Sequence, residues 1–188
     1  MKTMTKFVSI LALLLLASPV LLLQGCGSDV ADKQGCPSGS YLANATDVLI
    51  IPADSTFTVL SSVGSPALAG TMQYVLHFVV YEKDSITPRN NVCVKMYTGG
   101  TIGGGTWYTD DSYSTVAVGS GPANGITIVT DNSGAAFLYW ATPFPAANAA
   151  TGTTAGKDIA GSTWIMFNSG ALSKTWTTGW TVQGEPVP

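Results

Sequence analysis

The sequence predicts an all-β chain folded as a β-sandwich, and three observations carry that expectation. Eight short runs rich in β-branched and aromatic residues recur after about position 46. No stretch outside the first 25 residues sustains the 3.6-residue period of a helix, and Gly and Pro punctuate nearly every gap between runs. The runs are DVLIIP at 47–52, STFTVLSS at 55–62, MQYVLHFVVY at 72–81 and NNVCVKMYT at 90–98. GITIVTD at 125–131, AAFLYWAT at 135–142, STWIMFN at 162–168 and SKTWTTGWTVQ at 173–183 complete the set.

Each run is a strand for its own reason. The first two are separated by Pro52-Ala53-Asp54, a breaker that removes a backbone donor and supplies turn chemistry. The third alternates long apolar residues, so that Met72, Tyr74, Leu76, Phe78 and Val80 share one face, taken as inward. The same period puts Val92, Val94 and Met96 inward, then Ile126 and Ile128, then Ala136, Leu138 and Trp140, then Ile165 and Phe167, with Trp140 as the central core residue. The opposite faces follow without further choice: Val75, His77, Val79, Phe137 and Tyr139 lie outside one sheet, and Cys93, Lys95, Tyr97, Trp164 and Met166 outside the other. Two insertions separate the strands, a Gly-rich loop over 99–124 in which STVAV could form a short edge strand, and a Pro-, Ala-, Gly- and Thr-rich loop over 143–160.

The N-terminal segment supplies an address. Lys2 and Lys6 precede an apolar run over 7–23, too short and too punctuated for a permanent span, which ends at Leu23-Gln24-Gly25-Cys26. This arrangement resembles a bacterial lipoprotein signal. The resemblance implies removal of residues 1–25, acylation of Cys26 and a membrane attachment through lipid. Gly27, rather than Asp, follows the cysteine; in the enterobacterial sorting pattern this resembles, that implies the outer membrane, with the leaflet left open. An ordinary secretory peptide that ends near a cysteine is the alternative. Residues 26–45, polar and aperiodic, read as a flexible lipidated tether, and 46–188 as the folded domain.

Charge and cysteine count narrow the class further. After cleavage six basic residues face eleven acidic ones, a net charge of −5, which leaves no basic patch for nucleic acid. With Cys26 committed to lipid, Cys36 and Cys93 are left, and two thiols in an oxidising compartment read as one disulfide; two unpaired buried thiols are the alternative. No CxxC and only one histidine are present, so the expected metal and cofactor complement is none. Asp110-Asp111 with Asp84 or Asp131 could gather oxygen ligands for calcium, but their spacing matches no known calcium loop. Gly103 to Gly105 has the spacing of a phosphate cradle without the helix or the Lys-Ser/Thr that such a cradle needs.

The order of features then resembles the bacterial immunoglobulin-like domains of invasin- and intimin-type surface proteins. The matching pieces are the strand Tyr74–Tyr81, a turn at Pro88, the VxVxM strand Val92–Met96, and Thr130-Asp131-Asn132-Ser133-Gly134-Ala135-Ala136 leading into an apolar strand. The likeness covers about residues 45–183; the two insertions and the aromatic strand AAFLYW depart from it. It implies an immunoglobulin-like antiparallel β-sandwich of seven to nine strands, used as a spacer, adhesive unit or assembly module. The TDxxGxA piece reads as a turn between two antiparallel strands.

The function expected is therefore that of a non-enzymatic envelope lipoprotein whose domain is a structural or protein-interaction module, with an envelope or extracellular protein as partner. No catalytic residue is assigned, since His77 has no identifiable nucleophile beside it. The outward apolar set Val75, His77, Val79, Phe137 and Tyr139 is the candidate interaction face, unless loops or the tether fold over it. Trp107, Tyr108 and Tyr113 in the Gly-rich loop are candidates for stacking on sugar rings, which makes a carbohydrate-binding module the alternative function.

Overall fold

The computed structural model describes residues 35–117 and 125–188; the signal segment, Cys26 and the first part of the tether lie outside the described residues. Nine strands form: β1 (Val48–Ile50), β2 (Ser55–Val59), β3 (Gly70–Tyr81), β4 (Cys93–Gly100), β5 (Thr106–Tyr108), β6 (Ile126–Val129), β7 (Ala135–Phe144), β8 (Ile159–Ser169) and β9 (Leu172–Val182). They make two sheets, ordered β1-β3-β7-β5 and β2-β9-β8-β4-β6. Every pairing is antiparallel except β2 with β9. No helix occurs among the described residues. The chain is an all-β sandwich, and its two sheets follow the four-strand and extended-strand orders of an immunoglobulin-like fold. One departure sits in the Gly-rich insertion, where the chain lays β5 beside β7 before it lays β6 beside β4.

β1 and β2 are two halves of one run that changes sheets at the breaker, as strands do at sandwich corners. The crossing is fastened from β9, where the Trp176 indole N–H donates to the Ala53 carbonyl at 2.8 Å and the Thr177 amide donates to the Asp54 carboxylate at 2.7 Å.

The expected inward faces meet between the sheets. Leu76, Phe78 and Val80 of β3, Leu138 and Trp140 of β7, Val94 and Met96 of β4, and Ile165 and Phe167 of β8 are all buried. Met72, Tyr74, Ile126 and Ile128 are half-buried, the isoleucines because β6 is the last strand of its sheet. Trp140 stands at the centre, with its ring 5.7 Å from Trp176, 5.9 Å from Tyr74 and 6.2 Å from Trp107. A buried hydroxyl pair also links the sheets: Thr142 of β7 donates to Thr163 of β8 at 2.6 Å.

Glycine opposite an aromatic residue is a recurring device. Gly99 faces Trp164, Gly161 faces Trp180 and Gly70 faces Phe144 across their ladders. A Cβ on any of them would enter the opposing ring, at 2.8 Å from the nearest ring carbon for Gly70. The rings thus cover backbone that a side chain would otherwise shield.

Two expectations are corrected. The tether does not run to residue 45. Cys36 is disulfide-bonded to Cys93 with Cα atoms 5.9 Å apart, within the usual range. Tyr41 then pairs in parallel with Val92, accepting from the Cys93 amide at 2.7 Å, and Ala43 is buried. Ser169 fastens the same place by accepting from the Ala43 amide at 3.0 Å and donating to the Cys93 carbonyl. Buried Asp47 meets Arg89 at 3.3 Å. Backbone hydrogen bonds and burial of Ala43 outweigh the polar composition, so residues 36–45 belong to the folded body. The second correction concerns TDxxGxA, which joins β6 of one sheet to β7 of the other rather than two paired strands. Gly134 adopts φ 72° there, and a Cβ would lie 2.5 Å from the Val80 carbonyl oxygen, so glycine is required on both counts.

Candidate interaction site

β3 and β7 are neighbours, so the outward residues of one lie directly across from those of the other. Val75 faces Tyr139, His77 faces Phe137 and Val79 faces Ala135. Cross-strand pairs on one face are about 5 Å apart, close enough to make one patch. The His77 and Phe137 rings stack at 4.7 Å and 23°. Val75 is 54% and Phe137 57% exposed, whereas Val79 and Tyr139 are half-buried. Folding leaves the centre of the predicted face open and covers only its edge.

Over Tyr139 the cover comes from the Gly-rich insertion. β5 puts Tyr108 opposite Tyr139, and the chain then turns so that the Tyr113 ring packs edge-on against both, at 5.4 Å from Tyr108 and 6.2 Å from Tyr139. Val116 bridges back to Tyr108, so part of STVAV does form an edge pairing. Partial burial, with neighbouring Tyr139 and the Asp111 carboxylate adding to it, pushes the Tyr113 phenol above its ordinary value. Beside this cluster runs a cleft of about 320 Å³, walled by Tyr108, Thr109 and Ala117 on one side, Phe137 and Tyr139 beneath, and Ile126, Thr127 and Ile128 of β6 on the other.

Trp107 corrects the sugar-stacking trio. It is fully buried, packed beside Trp140 as part of the main core, and no sugar ring reaches it. Strand alternation explains the difference, because once residues 106–108 pair with β7, Trp107 points inward and Tyr108 outward. Tyr108 and Tyr113 remain half-buried at the cleft. On the other outer face, Cys93 is sealed beneath the docked segment, Lys95 lies 5.3 Å from the Tyr97 ring centre, and Trp164 rests on Gly99.

Three acidic residues are turned back on their own loops. Asp110 accepts from the Ser112 hydroxyl and amide, which holds its carboxyl down at about 2. Asp131 accepts from Ser133 and from the Ala135 amide, and its carboxyl is likewise lowered. Asp84, in the loop between β3 and β4, is held at about 2 by Thr87 and Ile86. All three are ionised at neutral pH, and among the described residues no three His, Cys, Asp or Glu side chains gather around one point.

Sequence reasoning reached the outward face residue by residue but missed the cleft. Its β6 wall is made by a four-residue strand, ITIV, whose edge position is invisible until the sheet order is known.

No protein-family model matches the chain, and no curated protein matches it. Among solved structures, a family 123 glycoside hydrolase from Clostridium perfringens resembles it with a TM-score of 0.32 at 10% identity, over 73% of this chain and 27% of that one. The chain therefore spans about a quarter of that protein's length.

Proposed function

We propose that this protein is a non-enzymatic lipoprotein of the bacterial outer membrane, anchored through Cys26, whose immunoglobulin-like domain is a structural or protein-interaction module. The docking face is Val75, His77, Val79, Phe137 and Tyr139, and its partner is an envelope or extracellular protein. The observation that carries this reading is the open, contiguous apolar face on β3 and β7. A sheet that faces only water carries Thr, Ser and charge on such positions, and an exposed Phe stacked on His beside an exposed Val is the signature of a surface that meets a partner.

Phe137→Ser combined with Tyr139→Ser is expected to abolish capture of partners from detergent-solubilised envelope. Because Phe137 is more than half exposed, its share of the stability loss is small; the half-buried Tyr139 accounts for most of a drop of about 1–2 kcal/mol. Unchanged capture together with a loss of about 4 kcal/mol would make this face a minor core instead.

The anchor has its own check. Cys26→Ser is expected to release the protein from the membrane fraction and to remove acyl mass from the native N-terminus. Unchanged fractionation with no acyl mass in the wild type rules out the lipid anchor.

Carbohydrate binding is the second reading, favoured by one observation: Tyr108 and Tyr113 line or flank the cleft beside ionised Asp110, which offers a stacking surface next to a hydrogen-bond acceptor. A glycan array on the mature protein separates the two readings.

A further inference from the structure

The cleft lies beside the outer side of β6 and of the stretch of β7 that β5 does not reach, neither of which is paired by a strand among the described residues. On β6 the Thr130 amide donates to the Val92 carbonyl at 3.0 Å, so Thr130 faces β4. Antiparallel alternation then turns Ile128 and Ile126 toward β4 as well, and sends the N–H and C=O of Thr127 and Val129 outward. Among the described residues no strand pairs with that side of β6.

β7 shows the matching gap. The Gly134 carbonyl accepts from Val80 of β3, while the Ala135 N–H and C=O are taken by Asp131. The next outward-facing backbone pair is that of Phe137, and β5 begins its pairing only at Tyr139. Among the described residues, the backbone of Phe137 in β7 and of Thr127 in β6 thus opens on the cleft without a strand partner, with Val129 next along the same edge of β6. Neither Ile126–Val129 nor Ala136–Leu138 carries the Lys, Pro or inward charge with which natural edge strands block pairing.

We propose that the cleft receives an extended, basic peptide segment of the partner, added as a strand to the free edge of β6. This rests on the protein-interaction reading above and names the chemistry of what binds. Backbone bonds to Thr127 and Val129 supply affinity, and alternate side chains of the added strand enter the seam over Ile126, Ile128 and Tyr139. Charge selects a basic segment. Asp110 and Asp111 directly follow Thr109 of the cleft wall, and Asp131 lies just past the C-terminal end of β6. The nearest cation on the adjoining strand, Lys95, is directed over the Tyr97 ring. An approaching lysine or arginine therefore meets ionised carboxylates at the rim.

The probe is an acetylated, amidated octapeptide of alternating valine and threonine with a lysine at each end, titrated into the detergent-solubilised mature protein. Saturable binding is expected, with slowed hydrogen exchange at the Thr127 and Val129 amides. N-methylation of one alternate set of peptide amides should weaken binding at least about tenfold, and of the other set hardly at all, because only one set faces β6. Replacing both lysines by glutamates should weaken it further, an effect that salt diminishes. Thr127→Pro, which deletes an outward N–H at an edge position that tolerates proline, should abolish binding. Absence of binding, equal indifference to both methylated sets, or perturbation confined to Val75 and His77 would each overturn the proposal. Partner capture that depends on Phe137 and Tyr139 but occurs without strand addition would overturn it and leave the docking-face reading standing; loss of both would remove the two together.

Discussion

Trp140→Ala is expected to destabilise the domain by about 3–5 kcal/mol, the range for truncating a large buried aromatic. Trp140 is fully buried, and its ring meets Tyr74, Trp107 and Trp176 from both sheets, so no single neighbour can move in to fill the space. Its indole N–H has no hydrogen-bond partner, and the loss is therefore one of packing and apolar burial alone. For a folded body of this size the melting temperature should fall by roughly 6–20 °C. Phe137→Ala on the same strand, 57% exposed, serves as the comparison and should cost well under half as much. Calorimetry of the two variants checks both numbers, and equal losses would mean that Trp140 is not the centre of the core.

Loss of the disulfide is the second large effect. The bond closes a loop of 57 residues, and on the chain-entropy account its removal costs about 4 kcal/mol by freeing the unfolded chain. Cys36→Ala with Cys93→Ala should lower the melting temperature by an amount comparable with Trp140→Ala, and reductant should do the same to the wild type. The local signature differs from that of a core lesion. The Cys93 amide donates to Tyr41 and the Ala43 amide to Ser169, so hydrogen exchange at these two positions should quicken before the centre of the sandwich opens. Protection that survives there in the double variant would mean that Ser169 and the Asp47–Arg89 pair hold the segment without the bond.

Period-two alternation was enough to find most of the fold. A strand has only two faces, and one long run such as 70–81 declares which is apolar; pairing with an equally patterned run then fixes every other residue of both. For that reason the core from Leu76 to Phe167 and the outward set from Val75 to Tyr139 could be read residue by residue. Trp107 failed for the same reason in reverse. Its three-residue strand is too short to show a period within a Gly-rich stretch, and its direction depends on pairing with β7, which no local pattern encodes. The segment 36–45 failed because its polar residues are exposed while its backbone is bonded. Composition reports what side chains prefer and says nothing of a bridge from Tyr41 to Val92.

By itself the sequence determined the strand class, the inward and outward partition of the long strands other than β9, and the disulfide partners. All of these are set within one element or by counting, because side-chain alternation and cysteine parity need no third dimension. The expectation that the outward residues of β3 and β7 share one sheet holds, whereas only the tertiary structure decided how much of that face stays open and that β5 and β6 end the two sheets on the same side. The open seam between those last two strands exists because strand order is a global choice. It is made by which sheet each run joins, and short edge strands such as β5 and β6 carry too little apolar surface to announce that choice in their own residues.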